Sequence, residues 1–205
     1  MNDLFLDYAK KIQSIAQIGL AYAVNPFDIE RYQQLRQISF EMLEALSNTP
    51  VEKITHLFEN EHGYQTPKVD VRGIVFRGDK ILMVQEKMDN CWTPPGGFAD
   101  IGLTPNEIAA KEVWEESGLK VRPQRLLAIL DKNHHNHPPS PWHIYKIFIL
   151  CEEIGGELAP SIETLDVRFF NLNELPPLSG GRITKEQIQL MYEYKNNPHK
   201  PAICD

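Results

Sequence analysis

Cysteine is scarce in this 205-residue chain: Cys91, Cys151 and Cys204 stand far apart and are odd in number. That spacing excludes a disulfide framework and a paired-cysteine zinc site, and it points to a reducing, cytoplasmic setting. Cys91 has no activating base near it in sequence, so it reads as a bystander thiol rather than a nucleophile. A surplus of positive charge is also missing. Lys and Arg number 21 against 28 Asp and Glu, a formal net charge of -7. This argues against a general nucleic-acid or acidic-membrane surface, though a small anionic substrate stays open because bound divalent metal inverts the local charge. No apolar run is long enough to span a bilayer. The run from Ile12 to Val24 superficially resembles a leader peptide with its cleavage site at Ala21-Tyr22-Ala23. Asp3 and Asp7 occupy the region that should be basic, however, and Gln13 and Gln17 interrupt the apolar part, so it reads as a soluble helix. Internal repeats and low-complexity tracts are absent.

What the chain does have is an ordered change of periodicity. Leu4, Tyr8, Ile12, Ile15 and Ile18 follow one helix face, and after Asn25-Pro26 so do Tyr32, Leu35, Ile38, Met42 and Leu46. Thr49-Pro50-Val51-Glu52 has the form of a capping box with proline and opens a third helix through Ile54, Leu57 and Phe58. Apolar stripes of this kind need a partner surface: one another, the rest of the chain or a second subunit. We expect a helical domain over residues 1–60, a linker over 61–67 and a catalytic domain over 68–205. In the last of these the period becomes two. Val69, Val71 and Val75 alternate with Asp70 and Arg72, Arg77-Gly78-Asp79 turns, and Ile81 to Val84 continues, which reads as a β-hairpin. Leu126 to Leu130, Ile144 to Cys151 and Val167 to Phe170 read as strands, and Thr184 to Tyr194 as a closing helix. That order suggests an α/β fold with a mixed sheet covered on both faces, preceded by an all-α domain.

The most informative stretch runs from Gly97 to Leu119. Thr104 is a good N-cap, Pro105 suits the first helical position, Glu107 completes a capping box, and Gly118 supplies a left-handed stop. Glu112, Glu115 and Glu116 then share one helix face. Three carboxylates so crowded attract cations, and oxygen-only ligands suit Mg²⁺ or Mn²⁺, although a solvated acidic face has the same pattern.

This stretch resembles the Nudix hydrolase box. Gly97, Lys111, Glu112, Val113, Glu115, Glu116, Gly118 and Leu119 fall at the family's spacing, and Pro95-Gly96-Gly97 is its usual approach. Two positions depart from the pattern: Leu103 stands where the family usually has glutamate, and Lys111 where it usually has arginine. Apolar packing by Leu103 in place of a salt bridge is the expectation at that point. The run from Glu163 to Phe170, with Leu175 to Leu178, Arg182 and Gln187-Ile188, is similar to the bacterial subfamily with an added N-terminal helical domain, described as hydrolysing ADP-ribose, CDP-choline and related compounds. Gly102-Leu103-Thr104-Pro105 is a familiar variant there.

The resemblance implies a Nudix-type α/β/α sandwich, a homodimer through the N-terminal helices, and metal-dependent cleavage of a nucleoside diphosphate joined to a group X. Products would be a nucleoside monophosphate and phosphorylated X. It implies a metal site of Gly97, Glu112, Glu115 and Glu116, with Glu115 and Glu116 catalytic. Glu163, or after it Asp166, is the candidate loop base. Arg72 could face the phosphates or make an ordinary salt bridge. Glu86, Lys87 and Trp92 flank the turn into the box as candidate pocket residues, Trp92 stacking on a base or sitting in the core. The loop Asn133 to Trp142 carries His134, His135 and His137 at no standard zinc spacing. It reads as a proline-stiffened loop at the pocket mouth, with His137 a candidate substrate contact. Alternatives are a triphosphate house-cleaning pyrophosphatase and, in another class, a nucleotide-sensing regulator. No nucleic-acid or membrane partner is expected.

Overall fold

The structure, a computed structural model, describes residues 2–47, 49–59 and 61–205. The side chains of Asp3 and Leu57, used in the leader and third-helix readings, lie outside the described set. The chain divides into two compact units, Met1–Pro67 with Pro138–His143, and Lys68–His137 with Ile144–Asp205.

The first unit holds α1 (Asn2–Tyr22), α2 (Pro26–Ser47) and α3 (Val51–Glu59). Its core is Leu6, Ala9, Phe40, Leu43, Ile54 and Phe58, and the Trp142 ring lies 4.9 Å from that of Phe58. The contact with Trp142 takes the 138–143 segment to the helices, whereas the sequence reading kept it with the sheet. The stripes read from sequence are buried only in part: Met42 and Leu46 pack against that core, but much of the rest faces outward. Leu4, Tyr8 and Ile15 stay 53%, 45% and 60% exposed, and Leu35 and Ile38 are exposed as well. Small and polar residues take the inside instead: Ala9, Ala16, Ser39, and Gln13 hydrogen-bonded to Gln17 at 2.9 Å. The Tyr32 ring packs where a Gly19 side chain would be, within 2.4 Å of an added Cβ. Where the two helices approach so closely there is no room for a bulky residue on both, so part of each apolar stripe is left facing outward. The expected Thr49 cap also differs. Thr49 Oγ1 donates to the Ser47 carbonyl, and Glu44 accepts the Val51 N–H at 2.9 Å.

The second unit is a mixed eight-stranded sheet: β1 (Lys68–Arg77), β2 (Lys80–Glu86), β3 (Trp92–Thr93), β4 (Gly96–Phe98), β5 (Leu119–Asp131), β6 (Ile144–Gly156), β7 (Thr164–Asn171) and β8 (Ile203–Cys204). The strands run β3-β2-β1-β6-β5-β8, with β4 on β1 and β7 on β2. The hairpin between β1 and β2 pairs only at Phe76–Ile81 and Arg77–Lys80 before the two strands diverge. That divergence makes room for the turn between β3 and β4. One sheet face packs under α4 (Pro105–Ser117) through Ile108, Ala109 and Val113, and the other under α5 (Lys185–Asn196) through Ile188, Met191 and Tyr192. The α/β/α expectation holds.

The caps of α4 are those written in its sequence. Thr104 and Glu107 form a reciprocal capping box, Pro105 opens the helix, and Gly118 ends it in the left-handed region at φ 75°. Gly73 of β1 lets α4 lie close: a Cβ there would meet Val113 Cγ2 at 2.4 Å. The acidic helix is thus clamped directly over the strand that carries the turn.

Candidate active site

The turn Pro94–Gly97 is pinned from both sides. The Gly73 N–H donates to the Pro95 carbonyl at 3.0 Å, and Arg72 Nη1 donates to the Pro94 carbonyl at 3.1 Å. Gly96 has φ 146°, and a Cβ there would sit 2.1 Å from the Val71 carbonyl, so only glycine fits. Its N–H donates to Glu116 Oε2 at 2.9 Å. Beside it, a Cβ on Gly97 would come within 3.2 Å of Glu112 Oε2. Glu112 and Glu116 therefore face the two glycines of the turn, one each.

Glu115 does not join them. It is exposed, and its Oε2 lies 3.2 Å from Lys111 Nζ, which also reaches Asp100 at 2.9 Å. The helix is thereby tied to the preceding loop by an ion pair through Lys111 and Asp100. Leu103 is 38% exposed, so the expected replacement of that salt bridge by Leu103 packing is not what the structure has. Among the described residues no group of three or more His, Cys, Asp or Glu side chains is arranged to hold a metal.

The electrostatics of the remaining acids are nevertheless one-sided. Burial pushes the Glu116 carboxyl up to about 8, helped by Glu86 and Glu112 and opposed by the Gly96 N–H and Arg72. Burial likewise raises Glu112 and Glu86. Desolvated carboxyls that repel one another are the setting a hard cation relieves, and oxygen ligands are the type Mg²⁺ or Mn²⁺ takes. In donor chemistry the residues fit such an ion.

The other residues picked from sequence have different fates. Glu163 is near enough to Glu86 for its charge to help raise that carboxyl. Lys87 fixes that loop, its N–H donating to the Glu163 carbonyl at 3.2 Å and its Nζ to the Ile162 carbonyl. Thr164 Oγ1 anchors the same loop to the Glu116 carbonyl at 3.1 Å. Asp166 is instead paired with Arg168. Trp92 is core, edge-on to Phe170 at 4.8 Å. Arg72 is neither a phosphate contact nor a surface pair. It is 2% exposed and grips Asp70 with two hydrogen bonds of 2.8 and 2.6 Å. His137 is half-buried, its Nδ1 2.7 Å from the Gly180 carbonyl oxygen.

Three contributors escaped the sequence reading as site residues. Asp70 and Lys146 are opposite one another in register on β1 and β6, joined at 2.9 Å, and Arg182 reaches Glu86 at 3.1 Å. The signal was there for two of them. Asp70 and Arg72 two apart on a strand share a face, and Lys146 interrupts an otherwise apolar strand.

Comparison with known proteins places the chain in a family. A family model described as a NUDIX domain matches residues 66–191, and one described as a UDP-X-like, N-terminal oligomerisation domain matches residues 3–58. The chain belongs to the Nudix family. It is a Nudix pyrophosphatase. It is 47% identical over 201 residues to the Bacillus subtilis protein YjhB, provisionally named an ADP-ribose pyrophosphatase, covering 98% of this chain and 97% of that one. The crystal structure of a UDP-X diphosphatase superimposes with a TM-score of 0.65 at 33% identity, over 100% of this chain and 99% of the other. An ADP-ribose pyrophosphatase from Streptococcus suis gives a TM-score of 0.63 at 45% identity, over 68% of this chain and 100% of the other.

The Asp70 carboxylate, bound by both Arg72 and Lys146, is held well below the usual range although burial alone would raise it. A depressed carboxylate contributes stability that is complete above its unfolded value and is lost as the pH falls through the folded one. Resistance to denaturant unfolding should therefore fall progressively below about pH 4, the ordinary aspartate range. Asp70→Asn should remove about 3–5 kcal/mol at neutral pH, because two buried cations lose their counter-charge.

Proposed function

We propose that this Nudix enzyme hydrolyses the diphosphate bond of a nucleoside diphosphate linked to X, of the ADP-ribose or UDP-X type, giving a nucleoside monophosphate and phosphorylated X. The observation that carries the reading is the placing of Glu112 and Glu116 against Gly97 and Gly96. Two full-length relatives, named for ADP-ribose and UDP-X, support the substrate class.

Nudix hydrolases generally use divalent metals. Here Glu112 and Glu116 would hold Mg²⁺ or Mn²⁺ beside Gly97, joined by Glu115 once it leaves Lys111. Such an ion supplies charge neutralisation across adjacent phosphates and an acidified water. The chain's own groups do the rest. Arg72 and the Gly73 N–H hold the turn, so that the two carboxylates keep their spacing. Glu163, on its Lys87-anchored loop, is our candidate for the base that takes a proton from the attacking water. Arg182 restrains Glu86 at the edge of the same acidic cluster.

The test is a panel of ADP-ribose, UDP-linked sugars, CDP-choline and nucleoside triphosphates with Mg²⁺ and with Mn²⁺, products separated by chromatography. We expect cleavage of diphosphate-linked compounds, abolished by chelation and lowered by about 10²-fold or more in Glu116→Gln. Cleavage that survives chelation and Glu116→Gln alike would sink the reading.

We also propose a homodimer through the outward apolar faces of α1 and α2, in keeping with the oligomerisation description of the matching N-terminal model. Tyr8→Glu with Ile15→Glu should halve the mass seen by light scattering. An unchanged mass would place the interface elsewhere.

A further inference from the structure

Lys111 is shared between two acids. Its Nζ lies 2.9 Å from Asp100 Oδ2 and 3.2 Å from Glu115 Oε2. The side chains of Lys111, Asp100 and Glu115 are 37%, 58% and 45% exposed, so packing locks neither pair. The cluster sits beside the acidic turn. Of the charges that act on Glu112, that of Lys111 is the largest, ahead of Glu115, Arg72 and Asp100. Glu112 in turn faces Gly97.

The two acids differ in freedom. Asp100 belongs to a fixed piece of backbone between β4 and α4. Next to it the Ala99 N–H donates to the Val69 carbonyl at 2.8 Å, and the Leu103 N–H donates to the Asp100 carbonyl at 3.4 Å, one residue before the Thr104 cap. Among the described residues, Lys111 is the one side-chain partner of Glu115. It stands one helical turn before Glu115, and Glu112 stands three residues before it on the same face. Exposed side chains change rotamer within picoseconds to nanoseconds, so Glu115 exchanges partners without any movement of the backbone.

Competition decides which partner Glu115 keeps. With no ion bound, Lys111 gives Glu115 a counter-charge and offsets its repulsion of Glu112. Beside a divalent cation at Glu112 and Glu116, Glu115 would feel twice the charge of an ammonium. Lys111 is then left needing an anion of its own, and Asp100 is already in place as one. A lysine suits this exchange, since its ammonium is a compact charge on a flexible stem, whereas an arginine would grip a carboxylate with a rigid fork.

We infer that Lys111 is the resident counter-cation of Glu115 and is released to Asp100 when Glu115 joins a divalent cation held by Glu112 and Glu116, so that the Asp100–Lys111 pair sets how readily the site takes up the ion. This rests on the cation-dependent diphosphatase reading above and goes further by naming the residues that govern access to Glu115. Lys111 and Asp100 are positioning residues, not catalytic ones.

The experiment titrates the full chain with Mn²⁺ by calorimetry, with no substrate present. Lys111→Met should tighten binding by about two- to fivefold, the range of an exposed ion pair. Because Lys111 acts through Glu115, that gain should be largely lost in a Glu115→Gln background, whereas plain repulsion between two cations would persist there. Asp100→Asn should weaken binding by about the same factor, and by clearly less once Lys111→Met is also present. No gain in Lys111→Met, a gain of equal size with and without Glu115, or an Asp100→Asn loss indifferent to Lys111 would overturn this inference and leave the cation site standing. The absence of saturable Mn²⁺ binding in the unmodified protein would overturn the cation-dependent reading and this inference with it.

Discussion

The hydrogen bond from the Gly96 N–H to Glu116 joins the only two parts of the site that must be in register, the glycine turn and the acidic helix. Its geometry depends on things that look unrelated. Gly73 admits α4 to within van der Waals contact of β1, Arg72 holds the Pro94 carbonyl, and Gly96 adopts a φ that a side chain would forbid. Each fixes one edge of the same small frame. Burial raises the carboxyl at its centre, and a cation there would make its charged form favourable.

Arg72 divides the charges of the second unit. On one side are Glu86, Glu112 and Glu116, whose fields it moderates. On the other are Asp70, Lys146, Lys132 and His137. Asp70 is the buried counter-ion that lets Arg72 and Lys146 sit inside the sheet at all.

Much of the fold was legible because the decisive signals were local. The α4 caps involve residues three or four apart, and Thr104, Pro105, Glu107 and Gly118 do what their types suggest. Two-residue alternation found β1, and apolar runs found β2 and β6, although β5 and β6 extend further than read; β3, β4 and β8 are too short to have a period. The α1 and α2 stripes misled because apolar spacing marks a face without saying what covers it. Close approach around Gly19 and Ala9 brings small residues inside beside Leu6, Phe40 and Leu43, and leaves Leu4, Tyr8, Ile15, Leu35 and Ile38 outside. Glu112 and Glu116 were legible through their spacing to the glycine turn. The rotamer of Glu115 was not, since it depends on Lys111. For Arg72 the sequence left a phosphate contact and a salt bridge open; the partner is Asp70, two residues away on the same strand, and the burial of that pair depends on Lys146, brought alongside only through parallel pairing of β1 and β6.

The central claim is that the Glu112–Glu116 pair at Gly96–Gly97 is a divalent-cation site. Mn²⁺ binding followed by electron paramagnetic resonance tests it without reference to any substrate. The account predicts saturable binding that strengthens as the pH rises toward about 8, where Glu116 gives up its proton, and that falls at least about tenfold in Glu116→Gln. Mn²⁺ binding that is equally tight in Glu116→Gln, and flat with pH, would contradict it.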